Sequence, residues 1–404
     1  MDLKSGYPYW TVKNGLLANY PALRENLSCD VLVVGAGITG ALIADRLVHA
    51  GFDVCVIDRR EAGWGSTSAS TGLLQYEIDV ELAELCAQLG EADAVLAYRQ
   101  CEQAIPELLR LARQLGKVDE RPMQSLYYAS RWHHRSRLLK EAALRQSHGF
   151  ALSVLDRMQI LDRYGFEAPV ALLTRLAAQI DPYQMAHRLL ARVVRRGGRV
   201  FDRTAMSTFE PGKRSVHVRL ANDVSIRCRQ LILAAGYEGQ RLVDQTVARN
   251  RSSYAFVSDP LPDGAGPLAN CLVWESARPY LYIRSTRDGR IIVGGEDDRI
   301  DIPPRRDALV ALKVEKLRKR AAKLFPSLTP EPAFGWAGTF AETADGLPFF
   351  GPHAQHGSRV HFAMAYGGNG IVYSQIGAEL LCAKLEGRKH PCEKLFSFDR
   401  LNGS

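Results

Sequence analysis

Gly35, Gly37 and Gly40 stand in the spacing Gly-x-Gly-x-x-Gly, and Asp58 closes the next apolar run. Residues of these types in this order handle phosphate and sugar hydroxyls. The first glycine permits a tight turn, the second lets the backbone approach a pyrophosphate, and the third lets a helix pack close on a strand. The N–H groups that open such a helix, at Ile38 and Thr39, attract anions, and the Asp58 carboxylate accepts hydrogen bonds from ribose hydroxyls. A second set follows the Arg59-Arg60 pair: Gly65, Ser66, Thr67, Ser68, Ser70, Thr71 and Gly72, a polar loop of small residues and hydroxyls. Near the other end, Tyr366-Gly367-Gly368-Asn369-Gly370-Ile371 is a second glycine-rich turn that again aims backbone N–H groups at an anionic partner.

These residues need strands and helices to hold them. Residues 31–34 are apolar and strand-like, 41–49 are helical in pattern, and 54–57 form a second apolar run. Together they make a βαβ unit, the context that turns a glycine spacing into a dinucleotide fingerprint. Residues 7–28, with Tyr7, Tyr9, Trp10, Tyr20 and Pro21, read as an arm packed on the body. Residues 79–116 are helical, with Leu82, Leu85, Leu89, Leu96, Ile105, Leu108, Leu111 and Leu115 as apolar positions. A short strand is expected at 127–129, a charged helix at 133–148 and another helix from Asp156.

Asp181-Pro182 marks a helix start, as cap and first position, and the helix runs to Arg196, where Gly197-Gly198 ends it. Strand-like segments follow, the last ending in Ala234-Ala235-Gly236, small enough to let a ligand pass close. Residues 254–301 read as antiparallel sheet, in which Tyr280, Tyr282 and Arg284 alternate and share a face. Arg287-Asp288-Gly289-Arg290 is its hairpin turn.

The chain has 404 residues, a length for about two to three domains. Its longest apolar runs are strand-sized, and the first residues form no apolar signal core, so neither a membrane span nor export is expected. Eight scattered cysteines, without a Cys-x-x-Cys pair, indicate reduced thiols in the cytoplasm and no zinc site. His353 and His356 have no further ligand nearby, and no metal is expected. The net charge of +8 comes most densely from residues 313–323. There Leu309, Leu312, Leu317, Ala321 and Leu324 fall near helical spacing, so the run reads as the solvated face of an amphipathic helix rather than a nucleic-acid recognition helix.

Taken together, the Gly35/Gly37/Gly40 turn with Asp58-Arg59-Arg60, the 65–72 loop, Asp181-Pro182-Tyr183, Ala234-Ala235-Gly236, Asp345-Gly346-Leu347-Pro348 and Tyr366–Gly370 resemble the D-amino-acid-oxidase-like flavoprotein superfamily, the group of glycine, sarcosine and γ-glutamylputrescine oxidases. The likeness covers nearly the whole chain. It implies an α/β fold: a Rossmann-type FAD-binding domain with a mixed sheet, interleaved with an α+β substrate domain built on an antiparallel sheet. The FAD domain would take residues 1–80, 165–245 and 330–404, and the substrate domain 81–164 and 246–329. It also implies extended FAD, with the 65–72 loop along the pyrophosphate and ribityl chain. Thr204, Ala205 and Met206 would lie against the adenine, and Ala235, Gly236 and Gly338 are further candidate contacts of the cofactor. Gly368, Asn369, Gly370 and Ile371 would approach the ribityl chain and the flavin O2/N1 edge.

In such proteins a hydride leaves a C–H next to an amine nitrogen, the imine is hydrolysed, and oxygen or another acceptor takes the electrons. The substrate expected here is a small amine or amino-acid derivative. Glycine-oxidase-like members carry an arginine just before the Asp-Gly-x-Pro segment, whereas this chain has Trp336-Ala337-Gly338-Thr339-Phe340-Ala341-Glu342 there. Glu342 favours a cationic amine over a carboxylate, and Arg284 is the candidate replacement clamp, with a plain surface charge as the alternative. Gln75, Tyr76 and Tyr366 are candidate substrate contacts, with packing as the alternative. No cysteine lies between Cys271 and Cys382, so FAD is expected to be non-covalent. Two other readings stay open: a flavin-binding subunit or sensor without turnover, and a tRNA-modifying flavoenzyme.

Overall fold

Apolar β-branched runs build the first sheet of the computed structural model, which describes residues 2–402; Met1, Gly403 and Ser404, at the outer ends of the expected domain segments, lie outside them. Leu27–Val34 is the central strand, with Val54–Ile57 and Arg199–Phe201 parallel on one side and Ser225–Leu233 and Val360–Met364 on the other. Residues buried on both faces favour parallel pairing between crossover helices. Antiparallel additions at 206–211, 216–220 and 349–352 make this an eight-stranded mixed sheet among the described residues. The helices Ile38–His49, Pro182–Arg195, Gly370–Leu385 and Glu91–Leu115 bury their apolar faces in one continuous core with it.

Ten described strands form the second sheet. Its order across the sheet is 4–6, 332–342, 249–258, 291–298, 281–285, 271–275, 121–128, 171–179, 73–75, with 152–155 beside 171–179. The expected antiparallel substrate sheet is present with one exception, since Cys271–Glu275 runs parallel to Arg121–Tyr128. A long excursion through the other sheet separates these two strands, and such a crossover can join parallel neighbours. Strands at 4–6, 73–75, 171–179 and 332–342 pair here as well, although the sequence reading grouped them with the FAD segments. Sheet membership is set by long-range pairing that local pattern does not encode.

Several local readings need adjustment. The 79–116 helix is two helices, Leu82–Leu89 and Glu91–Leu115, divided at Gly90 with φ 87°. The strand expected at 127–129 is the longer Arg121–Tyr128. Asp181 does cap Pro182–Arg195, its carboxylate accepting the Gln184 N–H at 2.9 Å. The basic helix, Pro303–Leu324, packs Leu309, Val310, Val314, Leu317, Ala321 and Leu324 on the second sheet, while Leu312 points outward at 66 % exposed. Several of its cations are engaged within the chain: Lys316 and Arg320 pair with Glu296, and Arg320 also with Glu275.

The arm expected at 7–28 packs on the body and contains a short helix, and a strand precedes it. Lys4–Gly6 adds a strand to Pro332–Glu342, and Tyr9–Asn14 is a short helix. Trp10 is fully buried, its indole N–H donating to Ser70 O at 2.6 Å. Tyr9 donates to Asp288 in the hairpin turn of the second sheet at 3.1 Å.

Candidate active site

One cleft of 480 Å³ runs between the two sheets, and most of the sequence-selected residues line it. At one end the glycine turn joins the strand Leu27–Val34 to the helix Ile38–His49. Gly40 packs so closely that an added Cβ would lie 1.8 Å from Gly35 O, which is why it serves the turn without lining the cleft. The Thr67 hydroxyl accepts the Ile38 N–H at 2.9 Å and thereby seats the hydroxyl loop over the helix start. Asp58 accepts the Ala36 N–H at 2.7 Å and the Arg60 N–H at 2.8 Å. Burial raises its carboxyl above the ordinary range, against those hydrogen bonds. Arg59 and Arg60 both pair with Glu238 across the cleft.

Gly35, Gly37, Ile38, Thr39, Gly65, Ser66, Thr67, Ser70, Thr71, Met206, Ala235, Gly236 and Gly338 all face this space. Two residues of the loop do not. Ser68 is fully buried and donates to Gly65 O at 2.9 Å, holding the loop's own turn. Gly72, with φ 70°, has its missing Cβ directed at Ile180 O, 2.3 Å away, so it serves close packing between chain segments. The Ser66 hydroxyl lies buried with no hydrogen-bond partner, an orphan that a ligand oxygen would satisfy. A glycine cradle, an acceptor carboxylate and an unused hydroxyl along one elongated cleft fit a dinucleotide. None of the eight cysteines lines the cleft.

The other end is built by the second sheet and by the start of Gly370–Leu385. Gly368, Asn369, Gly370 and Ile371 line it, and the Asn369 amide donates to Glu77 O at 2.7 Å. The second glycine turn already has an anion within the protein, for the Gly368 N–H donates to Asp79 Oδ2 at 2.6 Å. Gln75 and Tyr282 face the cleft. Tyr282 lies flat on the backbone of Gly294, where a Cβ would meet its ring at 2.3 Å. Burial and the nearby Asp297 push its hydroxyl up to about 12. Tyr366 lines the cleft too, but its hydroxyl is spent on Gly236 O at 3.1 Å, and its ring packs on Tyr237.

Two candidate catalytic residues are corrected. Tyr76 follows Gln75 on the strand edge and therefore points the other way. It is 1 % exposed, stacked on Phe150 with centroids 5.7 Å apart, in the helical core behind the cleft. Arg284 shares the face of Tyr280 and Tyr282, yet the cleft stops short of it. Trp10 covers it with the ring centroid 5.1 Å from the guanidinium, and its one hydrogen bond is to Ile180 O at 3.5 Å. Burial pulls its pKa down to about 10, and Nε and Nη1 lack partners. The helix that delivers Trp10 lies far away in sequence, so alternation alone placed Arg284 in the open.

Sequence reasoning missed Asp79, Trp274, Tyr237, Glu238 and Arg241, all of which line the cleft. No local signal marks them: Trp274 sits mid-strand, and Asp79 lies between a strand and a helix.

Fold and cleft together define an FAD-binding oxidoreductase. The family model described as FAD dependent oxidoreductase, DAO, matches residues 30–384, and the chain belongs to that family. It is 26 % identical to the gamma-glutamylputrescine oxidoreductase of Escherichia coli over 94 % of this chain and 88 % of that protein. It is 24 % identical to the glycine oxidase of Bacillus licheniformis, covering 91 % and 96 %. A putative Rieske iron–sulfur protein of Bacillus subtilis is likewise 24 % identical, over 98 % of this chain and 75 % of that one. Among solved structures, glycine oxidase from Geobacillus kaustophilus superposes with a TM-score of 0.75 at 17 % identity, covering 91 % of this chain and 96 % of that one. No helix among the described residues is long and apolar enough to cross a membrane.

Asp58→Ala is expected to weaken FAD binding by about tenfold to a hundredfold, the range for losing a charged hydrogen-bond acceptor. Titration of FAD into apoprotein by intrinsic-fluorescence quenching measures this, and unchanged affinity would remove Asp58 from the site.

Proposed function

We propose that the protein oxidises the C–N bond of a small amine or amino-acid derivative. The observation that carries this reading is the cleft's far end, where Gln75, Trp274, Tyr280, Tyr282 and Tyr366 wall the space opposite the start of the last helix. Small amine substrates fit a space walled by aromatic rings with a few polar groups to orient them. FAD, when bound, supplies the acceptor for a hydride and its two electrons from the carbon next to nitrogen. The glycine turn, Ser66 and Thr67 would hold its phosphates, Asp58 a ribose, and Asn369 to Ile371 its far end.

The protein's own part is positional. Trp274 and Tyr282 confine the substrate, and the Gln75 amide is available to orient its nitrogen. Removal of hydride from a neutral amine needs no dedicated base, and the nitrogen proton leaves to solvent. The resulting imine takes up water and divides into a carbonyl compound and an amine. Titration of the oxidised holoenzyme, without oxygen, by a panel of amines, N-methyl amino acids and α-amino acids tests this. Bleaching of the flavin band by one class is expected, and a band that no amine bleaches would overturn the reading.

A further inference from the structure

We infer that the far end of the cleft is a cation site, and that the substrate is a small di- or polyamine rather than a carboxylate-bearing amino acid. The inference rests on the C–N oxidation reading and names the substrate class for it. Hydride leaves the carbon beside a neutral amine nitrogen, so a positive charge held by the protein has to be on a second nitrogen.

The aromatic walls come first. Tyr280 and Tyr282 stand with centroids 5.8 Å apart, tilted by 47°, and Trp274 is stacked on Tyr127 at 3.9 Å. Ring faces of this kind attract an ammonium through their quadrupoles. Carboxylates add to that field. Asp79 lines the cleft, fixed by the Gly368 N–H. Asp297, at the bulge opposite Ser253, keeps Oδ1 buried without a hydrogen-bond partner. A buried carboxyl oxygen without a donor is costly, and an ammonium brings three donors.

The positive groups do not reverse this balance. Arg278 lies exposed at the rim, 4.5 Å from the centre of the Tyr280 ring, and donates to the Asp79 backbone oxygen at 2.6 Å. Arg251 is paired with Glu342 at 2.8 Å. Arg284 is sealed behind Trp10, and Arg59 and Arg60 serve the opposite end with Glu238. A substrate carboxylate would therefore meet Asp79 on the cleft wall, with Asp297 behind Ser253, while Arg241 lines the cleft from the segment that carries Glu238.

A pH dependence follows. Burial raises the Asp297 carboxyl to about 7; the Ser253 hydroxyl and Arg278 act to lower it, Asp79 and Glu342 to raise it. Below about pH 7 it gains a proton and loses its attraction for a cation, so affinity should fall as pH drops through that value.

A shape-matched pair of non-oxidisable probes tests the site: tert-butylammonium and trimethylacetate, read by perturbation of the holoenzyme's flavin absorbance. Saturable binding of the ammonium alone is expected, weakened about tenfold in Asp79→Asn and in Asp297→Asn, with FAD content unchanged. Binding of trimethylacetate, or of neither probe, would overturn the inference. Anaerobic reduction by 1,4-diaminobutane, butylamine and 4-aminobutanoate separates it from the reading beneath. Preference for 4-aminobutanoate sinks the cation site and leaves C–N oxidation standing. Selective ammonium binding with no amine reducing the flavin sinks C–N oxidation and leaves the cation site.

Discussion

Gly37→Val is expected to fold and lose its FAD, whereas Gly35→Ala is expected to lose both. The two glycines lie two residues apart in the same turn, and the structure separates their duties. Gly37 caps the helix Ile38–His49 with φ −79° and ψ −174°, extended values that any residue adopts. A Cβ there would meet the Thr67 hydroxyl at 2.9 Å, the end of a side chain that can rotate. The cost to the fold is then about 1 kcal/mol, one off-rotamer side chain. The added branches would project into the cleft where the backbone is bare, and a pyrophosphate could no longer approach. Gly35 is different. Its φ of 116° disfavours any L side chain, and its Cβ would sit 2.2 Å from Ala234 O, a backbone atom at the end of the neighbouring strand. Relief requires the two central strands to part, so a loss of about 4 kcal/mol or more is expected, at the exceptional end for one substitution. Thermal unfolding monitored by circular dichroism, with the flavin spectrum after gel filtration, checks both variants. A Gly37→Val protein that retains flavin would overturn the assignment of this turn to the cofactor.

Glu141→Leu is expected to destabilise the protein by about 3–5 kcal/mol, the cost of leaving a buried charge without its partner. Glu141 is fully buried, and its oxygens accept the Arg145 Nε–H at 2.6 Å and the Leu82 and Ala83 N–H groups at 2.8 and 2.9 Å. One carboxylate thus neutralises Arg145, which is 1 % exposed, and satisfies the opening of the helix Leu82–Leu89. Glu77 lies 3.9 Å from Arg145 and is too far to replace it fully. Glu77 also holds Asn369 through its backbone oxygen, so loss of the network should loosen the start of the last helix and weaken FAD binding as well. The double variant Glu141→Leu/Arg145→Met should recover part of the stability, because it removes the stranded charge. Chemical denaturation of the three proteins measures this, and a single variant within about 1 kcal/mol of the parent would contradict it.

Much of the glycine-turn end of the cleft was legible in the sequence. The requirements there are local: a turn only glycine fits, a helix start next to it, and an acid at the end of the next strand, all within residues 30–60. The hydroxyl loop and the last glycine turn also align with the cleft, although Ser68 and Gly72 turned out to serve the loop's own packing. Helix starts marked by Asp156 and Asp181 held for the same reason, since a cap bonds within three residues.

The substrate end depended on contacts that no spacing records. Strand alternation put Arg284 beside Tyr282, but whether that face met a cleft or a wall depended on Trp10, brought from the other end of the chain. Gln75 ends its strand facing the cleft while Tyr76, the next residue, turns into the core, and only the packing of Phe150 shows which side is core. Asp79 and Trp274 carry no motif; they line the cleft because a long crossover lays Cys271–Glu275 beside Arg121–Tyr128, and a bulge brings Asp297 against Ser253 behind the wall. Short-range hydrogen bonding and backbone sterics thus determined the glycine-turn end of the cleft from sequence alone. The substrate half was decided by tertiary structure, because burial and charge there arise from segments hundreds of residues apart whose meeting is set by the packing of the two sheets.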